Sequence, residues 1–470
     1  MSTQYRQVWT VLILFCFCSC SRHIYLDRTQ FIKDGEQFPV TDLYGYKSVQ
    51  ERPAQSPDLA AAIAISGGGS RAANFGIGIM LGLEKISTAN NHNALSEIDY
   101  LSTVSGGGFA GGAYVSALFD HHYFQKKQPF SLSAYVEDHI ADDLSISYTG
   151  VLARNYFNPK VWFSYRDYGD GLEKAIDEHV LGYKRRRRFG KPRSILLGDL
   201  FVPKRDTSTS VRFPMLIPNA SSMGTMAIFP FAPDILDCYQ INGYTHRMRM
   251  VKETQVDPFK IPISVGIKSS GSFPVLIPNT TLHSIYNPER PYLHIMDGAM
   301  TDNQGAYTAL QVLKQETTPK KVLIIVDADA SGNLHTFSKK EGSKAPLGVF
   351  VSLTASGLYA RRATLKKDII ENSIKLGITP IFLGFYTLLK NADAPILPER
   401  VNIKTEQLRL IELLKTNPAQ LSPADSHILY ELLVNIGTKY TIKSAEQELL
   451  FLAGQYIVRL EEDVIRAAME

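Results

Sequence analysis

The fold is decided by the stretch Tyr100-Leu-Ser-Thr-Val-Ser105-Gly-Gly-Gly-Phe-Ala-Gly-Gly-Ala-Tyr114. Its first half is apolar and typical of a strand, and its second half consists mostly of small residues that continue as a helix. A strand that turns directly into a helix at a serine forms a nucleophile elbow, which exposes the serine hydroxyl at the end of a sheet. The stretch therefore predicts Ser105 as a nucleophile, with Gly106 and Gly107 beside it because only small residues fit such a turn.

The elbow departs from the usual G-x-S-x-G pattern, because Thr103 stands two residues before the serine. A β-branched side chain at this position is expected to crowd the turn. The helix that follows directs the positive end of its dipole toward the place where negative charge would develop. Taken alone, the stretch leaves open a second interpretation, a turn rich in glycine and serine without a catalytic role.

A second glycine-rich turn precedes the elbow. Residues 60–65 are short, continuous and apolar, which predicts a buried strand, and Ser66-Gly-Gly-Gly-Ser-Arg71 follows before a helix predicted over residues 72–84. Exposed backbone N–H groups and a helix N-terminus together make an anion site. The turn lacks the lysine and spacing of a phosphate loop, and Ala72 replaces the last glycine of a dinucleotide-binding loop. We therefore favour an oxyanion hole, with a tight packing loop as the alternative.

A third motif lies near the middle of the chain, where Asp297-Gly-Ala299 is followed by Thr301-Asp-Asn-Gln-Gly305. In this order, the glycine turn, the elbow serine and the aspartate motif resemble the patatin-like phospholipase family. Pro218-Asn-Ala-Ser221 and Ser269-Ser-Gly-Ser-Phe-Pro274 are weaker similarities to the same family. The resemblance covers roughly residues 58 to 330, and its strength comes from the order of the motifs.

The resemblance implies an α/β, patatin-like three-layer fold with a largely parallel central sheet and a mostly helical C-terminal extension. It implies a Ser–Asp dyad in which Ser105 attacks an acyl ester and Asp297 accepts its proton. It also implies an oxyanion hole near the second turn, with the candidate residues Gly67, Gly68, Gly69 and Arg71. The arginine would either add positive potential or brace the loop, and the sequence does not separate these roles. No metal or organic cofactor is implied.

Two alternatives to this chemistry were weighed. A histidine-dependent triad is possible in principle, since His283 and His294 lie near Asp297 in sequence, but strand histidines are more often packed in the core. Asp327 and Asp329 follow a strand predicted over residues 321–326, and two carboxylates could suggest a metal. We interpret them as loop and cap residues because no third ligand stands nearby.

The first twenty residues predict a targeting signal. Arg6 supplies positive charge, and residues 8–18 are apolar but shorter than the roughly 20 residues of a membrane span. The segment resembles a bacterial lipoprotein signal, in which a cysteine at the cleavage point is lipidated. The small Ser19 favours Cys20 as that residue. A plain signal peptide or an uncleaved anchor is the alternative.

The composition indicates a globular chain of 470 residues whose net charge of +4 gives no reason to expect nucleic acid as a partner. Three of the four cysteines fall within the first twenty residues, so no internal disulfide framework is predicted. The predicted organisation is a signal over residues 1–20, a tether over 21–57, a catalytic domain over 58–345 and a mostly helical region over 346–470 packed on it.

The run Lys184-Arg-Arg-Arg-Arg188 has two interpretations. It could contact anionic lipid headgroups, at about 1 kcal/mol per charge near a membrane surface. We favour the simpler alternative, a solvated loop, because charge runs commonly lie in solvent.

The function predicted from the sequence is that of an exported, membrane-anchored lipid acyl hydrolase, of phospholipase A or lysophospholipase type. The expected localisation is the bacterial outer membrane or periplasmic face, and the expected partners are the lipid substrate and the membrane surface. The sequence leaves open whether a protein activator is a further partner. An acyltransferase or esterase with the same dyad is one alternative. A catalytically silent lipid-binding relative is another, because Thr103 and Ala72 depart from the motifs.

Overall fold

The structure is a computed structural model. It describes residues 57–88, 92–124, 126, 128–159, 167–200, 213–244, 257–274, 276–285, 289–328, 364–390 and 403–470. The predicted signal, the lipidation candidate Cys20 and nearly all of the predicted tether lie outside these ranges. None of the helices in this part of the chain has the length and apolar character needed to cross a membrane.

A nine-stranded mixed sheet forms the centre of the fold. Its strands are β1 (Leu59–Ile65), β2 (Ile98–Val104), β3 (Met215–Ser222), β4 (Ile228–Pro230), β5 (Ile241–Tyr244), β6 (Thr280–Ser284), β7 (Tyr292–Asp297), β8 (Lys320–Asp327) and β9 (Thr379–Gly384). The order is β5-β6-β7-β3-β2-β1-β8-β9, with β4 paired to β3. Five neighbouring strands are parallel to one another, in the order β3-β2-β1-β8-β9. The strands β4 to β7 extend the sheet in antiparallel pairs.

Seven helices matter for the site. They are α1 (Gly69–Glu84), α2 (Gly106–Tyr123), α3 (Ile263–Ser270), α4 (Ala306–Gln315), α5 (Ile403–Thr416), α6 (Pro423–Asn435) and α7 (Ser444–Leu460). Further α-helical segments are Leu132–Tyr135, Ala141–Ser145, Tyr148–Tyr156, Tyr168–Ala175, Tyr183–Arg188, Leu197–Leu200, Pro233–Cys238, Ala299–Asp302, residues 364–375 and Glu462–Met469. Val136–Ile140 and Ile176–Val180 are π-helical, and Pro258–Lys260, Phe385–Leu389 and Pro418–Gln420 are 3₁₀-helical.

Helices cover both faces of the sheet. Neighbouring residues of a strand point to opposite faces. On β2, the Thr103 side chain lies against Gly108 and Gly111 of α2, whereas the Ser102 hydroxyl donates to the carbonyl of Gly305, directly before α4. The two helices therefore lie on opposite faces. The three-layer α/β fold with a mostly parallel central sheet, predicted from the sequence, is confirmed.

The last long helix packs directly on the first. A Cβ atom added to Gly78 of α1 would lie 2.7 Å from the carbonyl oxygens of Leu450 and Phe451 in α7. A Cβ atom added to Gly454 of α7 would lie 2.6 Å from the backbone of Gly78. This close approach explains why α1 is buried from Gly69 to Leu83 on every side. The C-terminal region thus forms part of the same packed core as the glycine turn.

Candidate active site

Ser105 lies in a strained turn between β2 and α2. Its φ of 48° and ψ of −118° fall in a region that non-glycine residues rarely adopt, as a nucleophile elbow requires. The surrounding glycines are needed for close backbone contact. A Cβ atom on Gly106 would lie 2.1 Å from the carbonyl oxygen of Gly69, and one on Gly107 would lie 2.5 Å from that of Ile65. The N-termini of α1 and α2 therefore meet beside Ser105.

Thr103 fits the elbow without crowding it, contrary to the expectation from the sequence. Its side chain is fully buried and faces α2 at two glycines. A Cβ atom on Gly111 would lie 3.0 Å from Thr103 Cγ2, and one on Gly108 would lie 3.6 Å from its Oγ1. The β-branched side chain is accommodated because α2 has no side chains at these positions.

The middle strand β3 places Ser105 and Asp297 at the same level of the sheet. Val104 pairs with Asn219, so Ser105 lies level with the next residue, Ala220. Ala220 itself pairs with Asp297 from the other side. Two strand spacings separate the backbones by about 10 Å, a distance that the side chains close. Because β7 runs antiparallel to β3, Asp297 reaches the carboxyl ends of the parallel strands from the opposite direction.

The Asp297 carboxyl is buried and lies near the Ser105 hydroxyl. It accepts a hydrogen bond from the Ala299 N–H at 2.8 Å, and the residue is only 1% exposed. Burial raises the pKa of Asp297 from 3.8 to about 7, and its interactions with the Ala299 N–H and the Ser105 side chain oppose this increase. A carboxylate with a pKa near neutrality is a far better proton acceptor than an exposed aspartate.

The turn Ser270–Ser272, directly after α3, ties the nucleophile to the base. Ser270 Oγ accepts a hydrogen bond from the Ser105 N–H at 2.9 Å and donates to the carbonyl of Asn219 at 2.5 Å. The carbonyl of Ser272 accepts the Asp297 N–H at 3.0 Å. Sequence analysis noted this segment only as a weak similarity and gave Ser270 no role. Its function in the turn becomes visible only when β7 and the elbow are brought together.

The glycine turn lies against Ser105, and two of its three N–H groups are available to a ligand. A Cβ atom on Gly67 would lie 3.4 Å from Ser105 Cβ. The Gly67 N–H donates to the carbonyl of Asn303 at 2.9 Å and is therefore occupied. Gly67 was a candidate residue of the oxyanion hole, but its N–H does not serve as an oxyanion donor in this arrangement. Within the described residues, the N–H groups of Gly68 and Gly69 donate to no protein acceptor. With φ values of 148° and 60°, these two positions require glycine.

Arg71 braces the glycine turn from behind. The side chain is 5% exposed, and its Nε donates to the carbonyl of Ala328 at 3.0 Å. Its Nη1 donates to the carbonyl of Ile436 at 2.5 Å, and Nη2 lies 3.3 Å from where a Gly68 Cβ would be. Of the two roles left open by the sequence, these contacts favour bracing, because the guanidinium joins the turn to β8 and to the C-terminal region.

The Asp297 motif continues into the supports of the site. Asp302 Oδ2 accepts the N–H of Tyr307 at 2.9 Å, so this carboxylate caps α4. Asn219 also joins several elements. Its Nδ2 donates to Ser102 Oγ at 2.9 Å, and its Oδ1 accepts from the Thr308 hydroxyl at 2.5 Å. These bonds fix β2, β3 and α4 relative to one another.

Tyr440 is a site residue that sequence analysis missed. Its hydroxyl donates to the carbonyl of Gly271 at 3.1 Å, and a Cβ atom on Gly271 would lie 3.9 Å from Ser105 Cα, so the phenol lies beside the nucleophile. The adjacent carbonyl of Lys439 accepts the Ser70 N–H at 2.7 Å. Sequence gave no signal for this contact, because 335 positions separate Tyr440 from Ser105 and only the packing of α7 on α1 brings them together.

The two histidines considered as alternatives do not contact the dyad. Within the described residues, the interactions of Asp297 involve Ala299 and Ser105 and no histidine. His294 is exposed and contacts Thr281 Oγ1 at 2.9 Å, and its odd separation from Asp297 along β7 places it on the opposite face. The His283 ring packs on Tyr292. The geometry thus favours a dyad over a histidine triad.

The basic run is structural in part, so its interpretation as a solvated loop was wrong for two of its five residues. It forms the helical segment Tyr183–Arg188. Arg186 is fully buried and pairs with Asp120 of α2 at 2.6 Å, and Arg185 pairs with Asp120 at 3.2 Å. Lys184, Arg187 and Arg188 remain exposed. The run therefore anchors the nucleophile helix through two of its five charges.

Of the two carboxylates considered as metal ligands, only Asp327 lies within the described residues. Asp327 Oδ2 accepts a hydrogen bond from Gln304 Nε2 at 3.0 Å, and Asp329 lies outside those residues. Among the residues that the structure describes, no three His, Cys, Asp or Glu side chains are grouped so as to hold a metal ion.

Comparison with known proteins gives one family and several solved structures. The family model described as Patatin-like phospholipase matches residues 63–310, more than half of the chain. No curated protein sequence matches. Human GIVD cytosolic phospholipase A2 is 13% identical with a TM-score of 0.44, and the match covers 90% of this chain and 64% of that one. This chain thus spans less than two thirds of the human protein.

Two further structures are similar to parts of the chain. The same human protein in complex with methyl gamma-linolenyl fluorophosphonate is 15% identical with a TM-score of 0.43, over 90% of this chain and 60% of that one. VipD from Legionella pneumophila is 10% identical with a TM-score of 0.26, over 86% of this chain and 92% of that one.

Proposed function

This chain belongs to the patatin-like phospholipase family, and on that basis we propose that it hydrolyses fatty-acyl esters of phospholipids or lysophospholipids with Ser105 as nucleophile and Asp297 as base. The observation that carries the proposal is the placement of Ser105, held in a strained elbow, at the same level of the sheet as Asp297, a buried carboxyl whose pKa is raised to about 7. This combination gives a nucleophile and a matched proton acceptor without a histidine.

Acylation begins when Ser105 Oγ attacks the ester carbonyl carbon. The Oγ–H bond breaks as the new C–O bond forms, and Asp297 takes the proton. The carbonyl oxygen becomes an oxyanion, for which the N–H groups of Gly68 and Gly69 and the N-termini of α1 and α2 supply positive potential. Collapse of this intermediate expels the alcohol, which takes the proton from Asp297, and leaves the acyl group on Ser105.

Deacylation repeats these steps with water as the nucleophile. Asp297 accepts a proton from the water as its oxygen bonds to the acyl carbon. When the second tetrahedral intermediate collapses, the bond to Ser105 Oγ breaks and the proton passes from Asp297 to the serine. The fatty acid leaves, and both residues return to their starting states. The negative charge of each oxyanion forms beside backbone N–H donors, which can stabilise it directly.

A fluorophosphonate probe tests for the activated serine directly. We expect the folded wild-type chain to be labelled, Ser105→Ala to remain unlabelled and Asp297→Asn to be labelled at least tenfold more slowly, since it lacks the base. Ser269→Ala is a matched control, because its hydroxyl donates to the Val265 carbonyl at 2.6 Å and does not contact the dyad. Failure of the folded wild type to react would favour the silent, lipid-binding alternative.

We also propose that lipidation at Cys20 anchors the enzyme to a membrane, so that it meets its substrate at the lipid surface. The support is the apolar segment over residues 8–18 followed by a small residue and a cysteine. Cys20→Ala should move the protein from the membrane fraction to the soluble fraction when the full-length chain is expressed with its signal. Membrane retention of this variant at the wild-type level would contradict lipid anchoring.

A further inference from the structure

A segment of the C-terminal region forms one side of the candidate active site. The carbonyls of Ile436 and Lys439 accept hydrogen bonds from Arg71 and from the Ser70 N–H. A Cβ atom on Gly69 would lie 2.4 Å from the Lys439 carbonyl oxygen, so the backbones are in direct contact. Residues 436–440 are therefore fixed to the glycine turn, and Tyr440 is held where its side chain reaches the nucleophile.

The Tyr440 hydroxyl has one proton and lies near two acceptors. It donates to the carbonyl of Gly271, 3.1 Å away, and Gly271 in turn lies against Ser105, because a Cβ atom on Gly271 would be 3.9 Å from Ser105 Cα. A rotation of the phenol O–H bond would direct the proton from Gly271 toward Ser105 Oγ. Burial and the nearby Asp297 carboxyl raise the pKa of Tyr440, so the phenol stays protonated and acts only through hydrogen bonds.

We propose that Tyr440 is a third member of the reacting group, which donates a hydrogen bond to Ser105 Oγ while that oxygen has no proton of its own. In the free enzyme with Asp297 ionised, Ser105 keeps its proton and Tyr440 donates to the Gly271 carbonyl. While Asp297 carries the proton taken from Ser105, Ser105 Oγ is bonded to the acyl carbon and can only accept, so Tyr440 can donate to it. The hydroxyl thus gives Ser105 Oγ a donor when its own proton has left.

This role needs no net transfer of the phenol proton. In acylation the serine proton passes through Asp297 to the leaving alcohol, and in deacylation a proton from water passes through Asp297 to Ser105, as in the proposed mechanism on which this inference rests. During deacylation, Ser105 Oγ gains negative charge as its bond to the acyl carbon breaks. A hydrogen bond from Tyr440 stabilises that charge, so the phenol should affect the chemical steps more than substrate binding.

The contacts also give the C-terminal region a role in catalysis. The Gly271 carbonyl belongs to the same turn whose Ser270 hydroxyl accepts the Ser105 N–H. Tyr440 therefore contacts the supporting turn at Gly271 and lies beside the nucleophile. A displacement of residues 436–440 would loosen the Ser105 side chain while leaving the sheet unchanged.

The test compares Tyr440→Phe with Tyr148→Phe in the full-length protein. Tyr148 is a suitable control because its hydroxyl donates to the carbonyl of Asp143 at 3.0 Å, the same type of bond. Its backbone N–H donates to the Tyr440 carbonyl at 3.0 Å, and Tyr148→Phe keeps that contact. Hydrolysis of p-nitrophenyl butyrate gives kcat and KM, and exhaustive fluorophosphonate labelling counts the competent sites. Expressing kcat per labelled site removes any contribution from unfolded protein.

We expect Tyr440→Phe to lower kcat about tenfold, the effect of losing one hydrogen bond in the transition state, with KM changed less than twofold. The rate of fluorophosphonate labelling should fall in parallel, and Tyr148→Phe should stay within twofold of wild type. Equal kcat per site for Tyr440→Phe and wild type would overturn the inference. A folded wild type that neither reacts nor turns over would instead remove the proposed function itself, and this inference with it.

Discussion

The hydroxyl of Ser270 accepts a hydrogen bond from the backbone N–H of Ser105 at 2.9 Å. The same serine donates to the Asn219 carbonyl, and its own carbonyl accepts the Gly298 N–H at 3.2 Å. One residue therefore links the strained elbow to β3 and to the residue that follows the base. The relative positions of nucleophile and base depend on this buried turn as much as on the sheet.

Replacing Ser270 by alanine should reduce kcat by more than a loss of folded protein would explain. The variant leaves the buried N–H of Ser105 without its acceptor, which costs about 1–3 kcal/mol, and frees the elbow to relax. We expect kcat to fall at least tenfold, with a lower melting temperature. Ser269→Ala loses a comparable buried hydroxyl in the same helix turn. It should lose stability while keeping kcat, and equal kcat losses in both variants would argue against a positioning role for Ser270.

The raised pKa of Asp297 predicts how activity depends on pH. The base must be ionised, and its pKa of about 7 means that it is protonated in more acidic solution. We expect kcat/KM to rise about tenfold per pH unit below pH 7 and to level above it. A profile measured on a soluble ester avoids effects of pH on lipid packing. Full activity at pH 5 would contradict an aspartate base with this pKa.

The same shift predicts an effect on stability. Because the folded-state pKa of Asp297, about 7, lies above its model value of 3.8, the folded state holds the proton more tightly than the unfolded chain. Wild type is therefore relatively most stable below about pH 4 and loses up to about 4 kcal/mol as the pH rises through 7. Asp297→Asn lacks this loss. Its stability relative to wild type, from urea unfolding, should increase between pH 4 and 7.

Gly69 tests the contact between the glycine turn and the C-terminal region. An alanine at this position would place its Cβ 2.4 Å from the Lys439 carbonyl oxygen, in addition to straining a residue with a φ of 60°. Gly190→Ala is the control, because its φ is 73° and no atom lies within 4 Å of the added Cβ. Both should lose about 1 kcal/mol of stability from strain. Only Gly69→Ala should also lose more than tenfold in fluorophosphonate labelling rate.

The basic run provides a prediction about stability alone. Arg186→Ala leaves the buried Asp120 without its closest partner and should destabilise the fold by about 3 kcal/mol. Arg187→Ala, at the exposed neighbouring position, should change stability by less than about 0.5 kcal/mol. Thermal unfolding of both variants decides this. A similarly small change in stability for both variants would indicate that the whole run lies at the surface without a structural role.

Much of the site could be predicted from local sequence. Three features each combine a short apolar strand with a turn: the elbow at Ser105, the glycine turn after β1 and the aspartate at the end of β7. Such patterns can be recognised within about ten residues of sequence. The layer architecture was implied by the resemblance to the patatin-like phospholipase family. The antiparallel direction of β7 was not predicted, because strand direction depends on the connections before it.

The remaining features depend on contacts between distant parts of the chain. Nothing in the residues around Tyr440 indicates a hydroxyl beside Ser105, and nothing around Ser270 indicates an acceptor for the elbow N–H. The charges of Arg185 and Arg186 suggested solvent because the sequence does not reveal the carboxylate of Asp120 facing them. The crowding expected from Thr103 does not occur, because α2 has glycines opposite this side chain. The sequence does not reveal that these positions face each other.

The central claim is that Ser105 and Asp297 together cleave acyl esters, and fatty-acid release from phospholipid vesicles tests it most directly. Wild type, Ser105→Ala and Asp297→Asn would be compared at pH 8, with the folding of each checked by circular dichroism. We predict release by wild type and a loss of at least about a thousandfold in each variant. Release by Ser105→Ala at a rate near that of wild type would contradict the account.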